Sequence, residues 1–308
     1  MRGAATLFTV FRDFMKLKYR NIDQVQAWLL LMPAMILMIT FTHYPIVRSF
    51  IASFFSTAKE GRVSKFIALD NYSSMIADPV FWQVLQNNVI YAVGVIPISV
   101  SLALLMAVFV NGKLPGRSIV RAAYFTPTIL PMIAVANIWL FFYTPQIGLL
   151  DQICKLFNIP TQSWLGSTET ALGCMMVLAV WKDAGFFMIF FLAALQGISP
   201  DLEEAAVIEG SGRWYFFRRV TLPLLMPTML FVLVNATINS FKLVDHIFIL
   251  TKGGPDNASS LLLYYIWEVA FSFWDTAYAS TLTVVLLVIL SLAAITQFRY
   301  MEKRVHYQ

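Results

Sequence analysis

The sequence predicts an all-α polytopic membrane protein: six transmembrane helices with one polar loop on the basic side. Three observations carry that reading. Of the 308 residues, 59% are hydrophobic and only 13% are charged, where a soluble domain runs at roughly 45–50% and about 25%. The apolar residues fall into six blocks, about 27–50, 86–110, 121–144, 170–196, 226–250 and 277–298. Each block is long enough to cross about 30 Å of hydrocarbon as a helix. Finally, fourteen of the 22 Lys and Arg residues lie in segments 1–26, 111–121, 197–225 and 299–308, against five in the intervening loops. Basic residues favour the cytoplasmic side, which puts both termini inside. The net charge of +5 follows from this asymmetry and is no nucleic-acid signature.

Each block reads as a helix, because a helix satisfies its own backbone hydrogen bonds in lipid. The blocks are continuous apolar runs, not the alternating segments of a barrel. The chain divides into a cytoplasmic N-terminal segment (1–26), a six-helix transmembrane domain (27–298) with its polar loop at 198–226, and a cytoplasmic tail (299–308). Residues 1–26 are too long and polar for the start of a cleavable signal. The stretch Phe8, Phe11, Phe14 and Met15 among Arg12, Lys16 and Lys18 reads either as an interfacial helix or as a plain basic anchor. Cys154 and Cys174 make no disulfide framework. Pro97 in the second block, and Pro127 and Pro131 in the third, are expected to kink their helices.

The polar loop carries the most specific pattern. From Glu204 it reads EAAVIEGSGRWYFFRRVTLPLLMP. Ser199-Pro200-Asp201 starts a helix, with Ser as cap, Pro in the first turn and acids at the positive dipole end. Gly210-Ser211-Gly212 ends it, since glycine accepts a left-handed C-terminal residue. Trp214 to Val220 forms a second short helix, and Pro223 marks the return to the membrane. The product is a bent helical knob exposing Trp214 and Phe216 or Phe217 beside Glu203, Glu204, Arg213 and Arg218. Such a knob suits helix-in-groove docking.

This segment resembles the EAA loop of ABC importer permeases, through which the membrane subunit grips its ATPase. Glu204, Ala205, Ala206, Gly210, Phe217, Leu222 and Pro223 match the family pattern position by position. Glu209 departs from the usual Asp, and Gly212 from a more usual small polar residue; neither removes the turn. Other segments resemble carbohydrate-type permeases of the same family. These are Asp70-Asn71-Tyr72 in the first outer loop, Gly148-Leu149-Leu150 and Trp164-Leu165 in the second, and Leu250-Thr251-Lys252-Gly253-Gly254-Pro255 in the third. The tail FRYMEKRVHYQ looks like that of the first permease of glycerol-3-phosphate importers. The resemblance implies a second homologous permease, two ABC ATPase subunits and an extracytoplasmic solute-binding protein. It also implies a bacterial inner-membrane location.

The chain shows no phosphate cradle of its own. Lys113 follows Gly112 but precedes Leu114, and residue 107, where the first glycine belongs, is Ala107, so no G-x-x-x-x-G-K-[ST] loop exists. ATP and Mg are therefore expected on the partner ATPases, with no cofactor or metal in this chain. No nucleophile–base set is visible either: His43, His246 and His306 lie far apart, and the chain reads as a transport subunit, not an enzyme.

The fifth block carries a polar stripe. Asn235, Asn239, Lys242 and His246 follow at spacings that put them within about 60° on one helix, with Asp245 within pairing reach of Lys242. A charge facing lipid at mid-membrane costs at least a few kcal/mol. The stripe therefore faces a translocation route, or else a Lys242–Asp245 pair and asparagines join helices. Trp181-Lys182-Asp183 in the fourth block admits the same two readings: Trp181 and Lys182 line the solute path or serve packing. The substrate expected is a sugar or sugar-like solute. Lys242 and Lys182 suit an anionic one, such as a glycerol phosphate. The alternative class is an ion-coupled secondary transporter, which needs no docking knob and whose inverted broken helices are not evident.

Overall fold

The structure is a computed structural model and describes residues 26–58, 63–112, 115–242 and 244–302. The amphipathic N-terminal stretch and the end of the tail lie outside these residues. In chain order the helices are α1 (Gln26–Ala52), α2 (Asp70–Ala77), α3 (Pro79–Asn111), α4 (Arg117–Ile129) and α5 (Met132–Phe142). There follow α6 (Leu149–Leu156), α7 (Ala171–Gln196), α8 (Pro200–Ile208), α9 (Arg213–Phe216) and the single turn α10 (Leu222–Leu224). The chain ends with α11 (Met226–Phe241), α12 (Asp245–Leu250), α13 (Leu262–Phe271) and α14 (Thr276–Glu302). The all-α expectation holds, with five spanning helices among the described residues, or six when a bent pair counts as one.

Two of the six expected spans are not single straight helices. The third is α4 and α5, which meet at 99°. The cause is Pro131: it lacks the N–H that a continuing helix needs and holds Leu130 extended, at ψ 135°. Pro127 is carried inside α4. Likewise Pro97 lies within the 33-residue α3 without ending it, so the kinks expected there reduce to one break at Pro131. The fifth span ends its first helix at Phe241 and resumes at Asp245.

Elsewhere prolines widen the helix instead of breaking it. A π turn at Ile39–His43 precedes Pro45, and a second at Phe217–Thr221 precedes Pro223. In each case the proline removes a donor and presses on the carbonyl four residues back, and a wider turn upstream accommodates the mismatch.

The core forms where α3 and α7 pack on one another, with α11, α13 and α14 around them. One cluster joins Val100, Ala103, Phe187, Phe191 and Val232 of α3, α7 and α11. A second joins Tyr91, Met175 and Leu178 to Ile247 and Tyr264. Helix α7 also presses against α4: a Cβ at Gly185 would sit 2.1 Å from the Tyr124 carbonyl oxygen, so only glycine permits this approach. Helix α1 packs along α14 and keeps its apolar window exposed. Both cysteines are buried and free.

The side of the bundle opposite the Glu204 loop, termed the far side, is tied by side chains that hold irregular backbone. Asn87 of α3 donates to the carbonyls of Asn257 (2.7 Å) and Ser260 (3.0 Å). Asn88 donates to Ser240 and accepts from the Leu262 N–H at 2.8 Å. These bonds fix the Thr251–Leu261 loop, in which Lys252, Gly253, Asp256 and Asn257 all have positive φ. A second pin is Asp78, the N-cap of α3, whose carboxylate accepts from Val80 N–H and from the phenols of Tyr265 (2.6 Å) and Tyr278 (2.7 Å).

Burial works against the ionised form of Asp78, but the Tyr265 and Tyr278 hydroxyls and two backbone N–H groups outweigh it and hold its carboxyl below the usual range. A lowered folded-state value adds stability above the unfolded value, and that stability disappears as pH falls through the folded one. Asp78→Asn should therefore lower the unfolding midpoint at pH 7, and its deficit against wild type should shrink below about pH 4. Thermal unfolding of both proteins from pH 7 to pH 3 checks this; a deficit that stays constant contradicts it.

Candidate functional site

The candidate side chains fall in three places in the fold. The first is the loop between α7 and α11. Ser199 caps α8 by accepting from Asp201 N–H at 3.3 Å. The other end closes as expected: Gly210 sits at φ +72°, Ser211 N–H bonds to Ala206 O at 2.8 Å and Gly210 N–H to Val207 O at 3.0 Å. This pair of bonds is a Schellman motif, and it requires a residue comfortable in the left-handed region.

Beyond the turn the chain stays helical. Helix α9 passes through the π turn Phe217–Thr221 and α10, with Pro223 within it, and joins α11 at Leu225. The expected helix over 214–220 is thus α9 plus a π turn. Glu203, Glu204, Ala205 and Gly210 are exposed, and Ala206 is half-buried. Val207, Ile208, Trp214 and Tyr215 stand well out, Ile208 at 86% exposure and Trp214 at 72%. Trp214 stacks on Phe217 at 5.8 Å, and the Arg219 guanidinium lies over Tyr215 at 5.9 Å.

The apolar face therefore differs from the one expected. Phe216 and Phe217 are half-buried and line a cavity of about 530 Å³ between the loop and the ends of α3 and α7, together with Val108, Leu195 and Thr221. The outward anchors are Trp214 with Tyr215, Val207 and Ile208. Val207 and Ile208 were legible in principle: they follow Glu203 and Glu204 at four residues on an exposed helix.

The second place is the break between α4 and α5. Pro131 leaves the Pro127 carbonyl without its helical donor. The Lys182 ammonium replaces it, donating to Pro127 O at 3.0 Å and Leu130 O at 2.7 Å. This geometry favours the packing alternative for Lys182. Trp181 is partly exposed and meets Trp139 of α5 edge-on at 5.7 Å. Asp183, the next residue, lies within electrostatic reach of both Lys182 and the Tyr91 hydroxyl.

The third place is the fifth span, where the break divides the expected stripe. Asn235 and Asn239 are half-buried on α11, and Asn235 bonds to Phe231 O one turn back. Lys242 caps α11 and is exposed, as is Asp245 at the start of α12; no ion pair joins them among the described residues. His246 leaves the stripe. It is fully buried, its ring 6.4 Å from that of Tyr91, with neither ring nitrogen hydrogen-bonded. The helical-wheel argument placed it on the polar face only because it assumed an unbroken helix. Among the described residues no group of His, Cys, Asp and Glu could hold a metal.

Apolar spans, one bent and one interrupted, with a polar loop of short helices at one side, define a helical membrane protein. The chain belongs to the family of binding-protein-dependent transport system inner membrane components, whose match covers residues 99–307. It is 32% identical over 286 residues to the lactose transport system permease protein LacF of Rhizobium radiobacter, covering 91% of this chain and 95% of the relative. It is 30% identical to the sn-glycerol-3-phosphate transport system permease protein UgpA of Agrobacterium fabrum, covering 92% and 97%. The fold superposes on a chain of the crystal structure of a bacterial ABC transporter involved in the import of the acidic polysaccharide alginate. The TM-score is 0.81 at 19% identity, over 92% of this chain and 98% of that one. The chain is therefore a multi-pass, membrane-embedded ABC permease subunit.

Lys182→Met should leave two carbonyls at the α4–α5 break unpaired, at a cost of about 1–3 kcal/mol. Lys182→Arg, which still donates, should retain most of the stability. Unfolding midpoints in detergent read this directly, and a Met variant as stable as wild type would contradict the cap.

Proposed function

We propose that this chain is the permease subunit of a bacterial ABC importer that carries a sugar or sugar-like solute inward. In this reading it pairs with a second homologous permease, two ABC ATPase subunits and an extracytoplasmic solute-binding protein. The ATPases hold ATP and Mg. The Glu204 loop faces the cytoplasm with both termini, the far side faces out, and the membrane is the bacterial inner membrane. The observation that carries the reading is the loop itself. It presents Glu204, Trp214 and Ile208 outward on two helices locked by the Gly210 turn, a shape suited to a groove on a partner.

The same loop supplies a mechanical route. From Arg213 to Phe241 the chain is helical almost without interruption. A displacement of the knob by closing ATPases is then delivered to α11 and to the break at Lys242. Two sites that bias one two-state element are what coupling requires. The solute passes along the exposed face of Asn235, Asn239, Lys242 and Asp245, with Trp181 at its side. LacF is named for a neutral disaccharide, UgpA for an anionic glycerol phosphate and the alginate importer for an acidic polysaccharide. Lys242 has no ion-pair partner among the described residues, which favours a solute with an acidic group.

Two substitutions separate coupling from passage. Glu204→Arg should leave the protein inserted while cutting substrate-stimulated ATP hydrolysis of the complex by about tenfold or more, as loss of a charged interface contact does. Normal stimulation in that variant would remove the loop from the coupling role. Lys242→Ala should reduce uptake by about tenfold, the loss of one charge-assisted contact, with assembly unchanged. Full uptake would make the stripe a joint between helices.

A further inference from the structure

A set of aromatic rings at the far end of the polar face belongs to neither the loop nor the charged stripe. Trp267 of α13 is its centre. The Phe248 ring meets Trp267 edge-on, with centroids 5.3 Å apart at 80°. Tyr264 tilts against Trp267 at 5.8 Å and Phe271 at 6.2 Å. Positions 264, 267 and 271 share one helix face. Along that face the rings run from buried Tyr264 through half-buried Trp267 to exposed Phe271. Glu268, next to Trp267, is half-buried, and its carbonyl accepts from the Ser272 and Phe273 N–H groups.

The direction of this face follows from its neighbours. Phe248 lies three residues after Asp245 on α12, one helical step along the same side, and both are exposed. Lys242 is exposed immediately before them. A face that carries a lysine and an aspartate does not look into hydrocarbon, where each charge costs several kcal/mol. Phe248 and the Trp267 ring packed on it therefore look toward the same polar space as Asp245. They do not form part of an interfacial aromatic belt. Phe273 and Trp274, exposed beyond α13, are free to serve that purpose.

Aromatic planes beside carboxylates and amides have one well-matched ligand. The face of an aromatic ring is electron-rich, and the C–H groups on one face of a pyranose are polarised positive, so the two stack and bury apolar surface. Hydroxyls at the sugar rim then need acceptors, and carboxylates stand at Asp245, three residues before Phe248, and at Glu268, next to Trp267. A glycerol phosphate has no ring to stack. A lipid tail makes no use of the acceptors.

We propose that Phe248, Trp267 and Phe271 form a stacking platform for a pyranose ring of the transported solute, at the outer mouth of the polar face. This rests on the sugar-importer reading above, and it makes the rings, not the lysines, the determinant of sugar over non-sugar cargo.

The test uses the intact complex purified through this chain and reconstituted in proteoliposomes with its binding protein. Radiolabelled lactose, trehalose, a methyl glucuronide and sn-glycerol 3-phosphate serve as probes. ATP-driven uptake of at least one pyranoside is expected. Trp267→Leu should lower its kcat/KM about tenfold, and Trp267→Tyr, which keeps a ring, should stay within about threefold. Phe248→Leu, at the edge of the stack, is the second variant and decides the matter if Trp267→Leu fails to assemble; about a threefold loss is expected. Uptake within twofold of wild type in the Leu variants overturns the platform, and so does an equal loss in Trp267→Leu and Trp267→Tyr. A wild-type complex that carries glycerol 3-phosphate and no pyranoside also overturns the platform while leaving the importer intact. If none of the four enters with ATP, the sugar-importer reading itself fails, and the platform falls with it.

Discussion

Backbone hydrogen bonding away from water is the constraint on which the rest of this structure depends. In hydrocarbon an unpaired carbonyl has no solvent to turn to, so a span that departs from helix needs a substitute donor from within the protein. The α4–α5 break shows the solution in its simplest form. Pro131 removes one donor and Lys182, from a neighbouring helix, supplies another to the carbonyls of Pro127 and Leu130. A charge that is costly in lipid becomes economical when it neutralises two freed carbonyl dipoles. The close approach that this needs is set nearby, where Gly185 admits the Tyr124 carbonyl.

The same principle organises the far side. The Thr251–Leu261 loop has four residues at positive φ and little regular backbone. Asn87, on α3, bonds to Asn257 and Ser260 within it, and the adjacent Asn88 bonds to Leu262 at its end and to Ser240 of α11. Two side chains thereby do for a loop what a ladder does for a strand. The outcome is a loop tied to α3 where it joins α13.

Two prolines preceded by π turns, Pro45 and Pro223, contrast with Pro131. At the first two the helix absorbs the missing bond by widening; at Pro131 it turns through 99°. Leu130 is held extended before Pro131, whereas Tyr44 and Leu222 stay helical before theirs. What separates them is the neighbour. Lys182 stabilises an open end beside Pro131, while His43 contacts Met38 O within its own π turn at 3.1 Å. A sequence shows three prolines in apolar runs and does not show which one has a lysine waiting across the helix interface.

The sequence by itself determined the class and most of the topology. Apolar run length placed the spans, because the hydrocarbon thickness is fixed. The Ser199-Pro200-Asp201 start and the Gly210 stop placed α8, because cap chemistry is local. The turn of the Glu204 loop was legible for the same reason: it depends on one glycine and on local backbone bonds. Tertiary structure alone decided what the charged residues do. Lys182 meets the α4–α5 break, His246 turns into the core beside Tyr91, and Lys242 and Asp245 remain outward but unpaired. Those assignments depend on one helix ending at Phe241 and the next beginning at Asp245, and on contacts between segments some fifty residues apart or more, such as Lys182 with Pro127. Periodicity along a chain assumes an unbroken helix, and only the packing of other helices reveals where the helix stops.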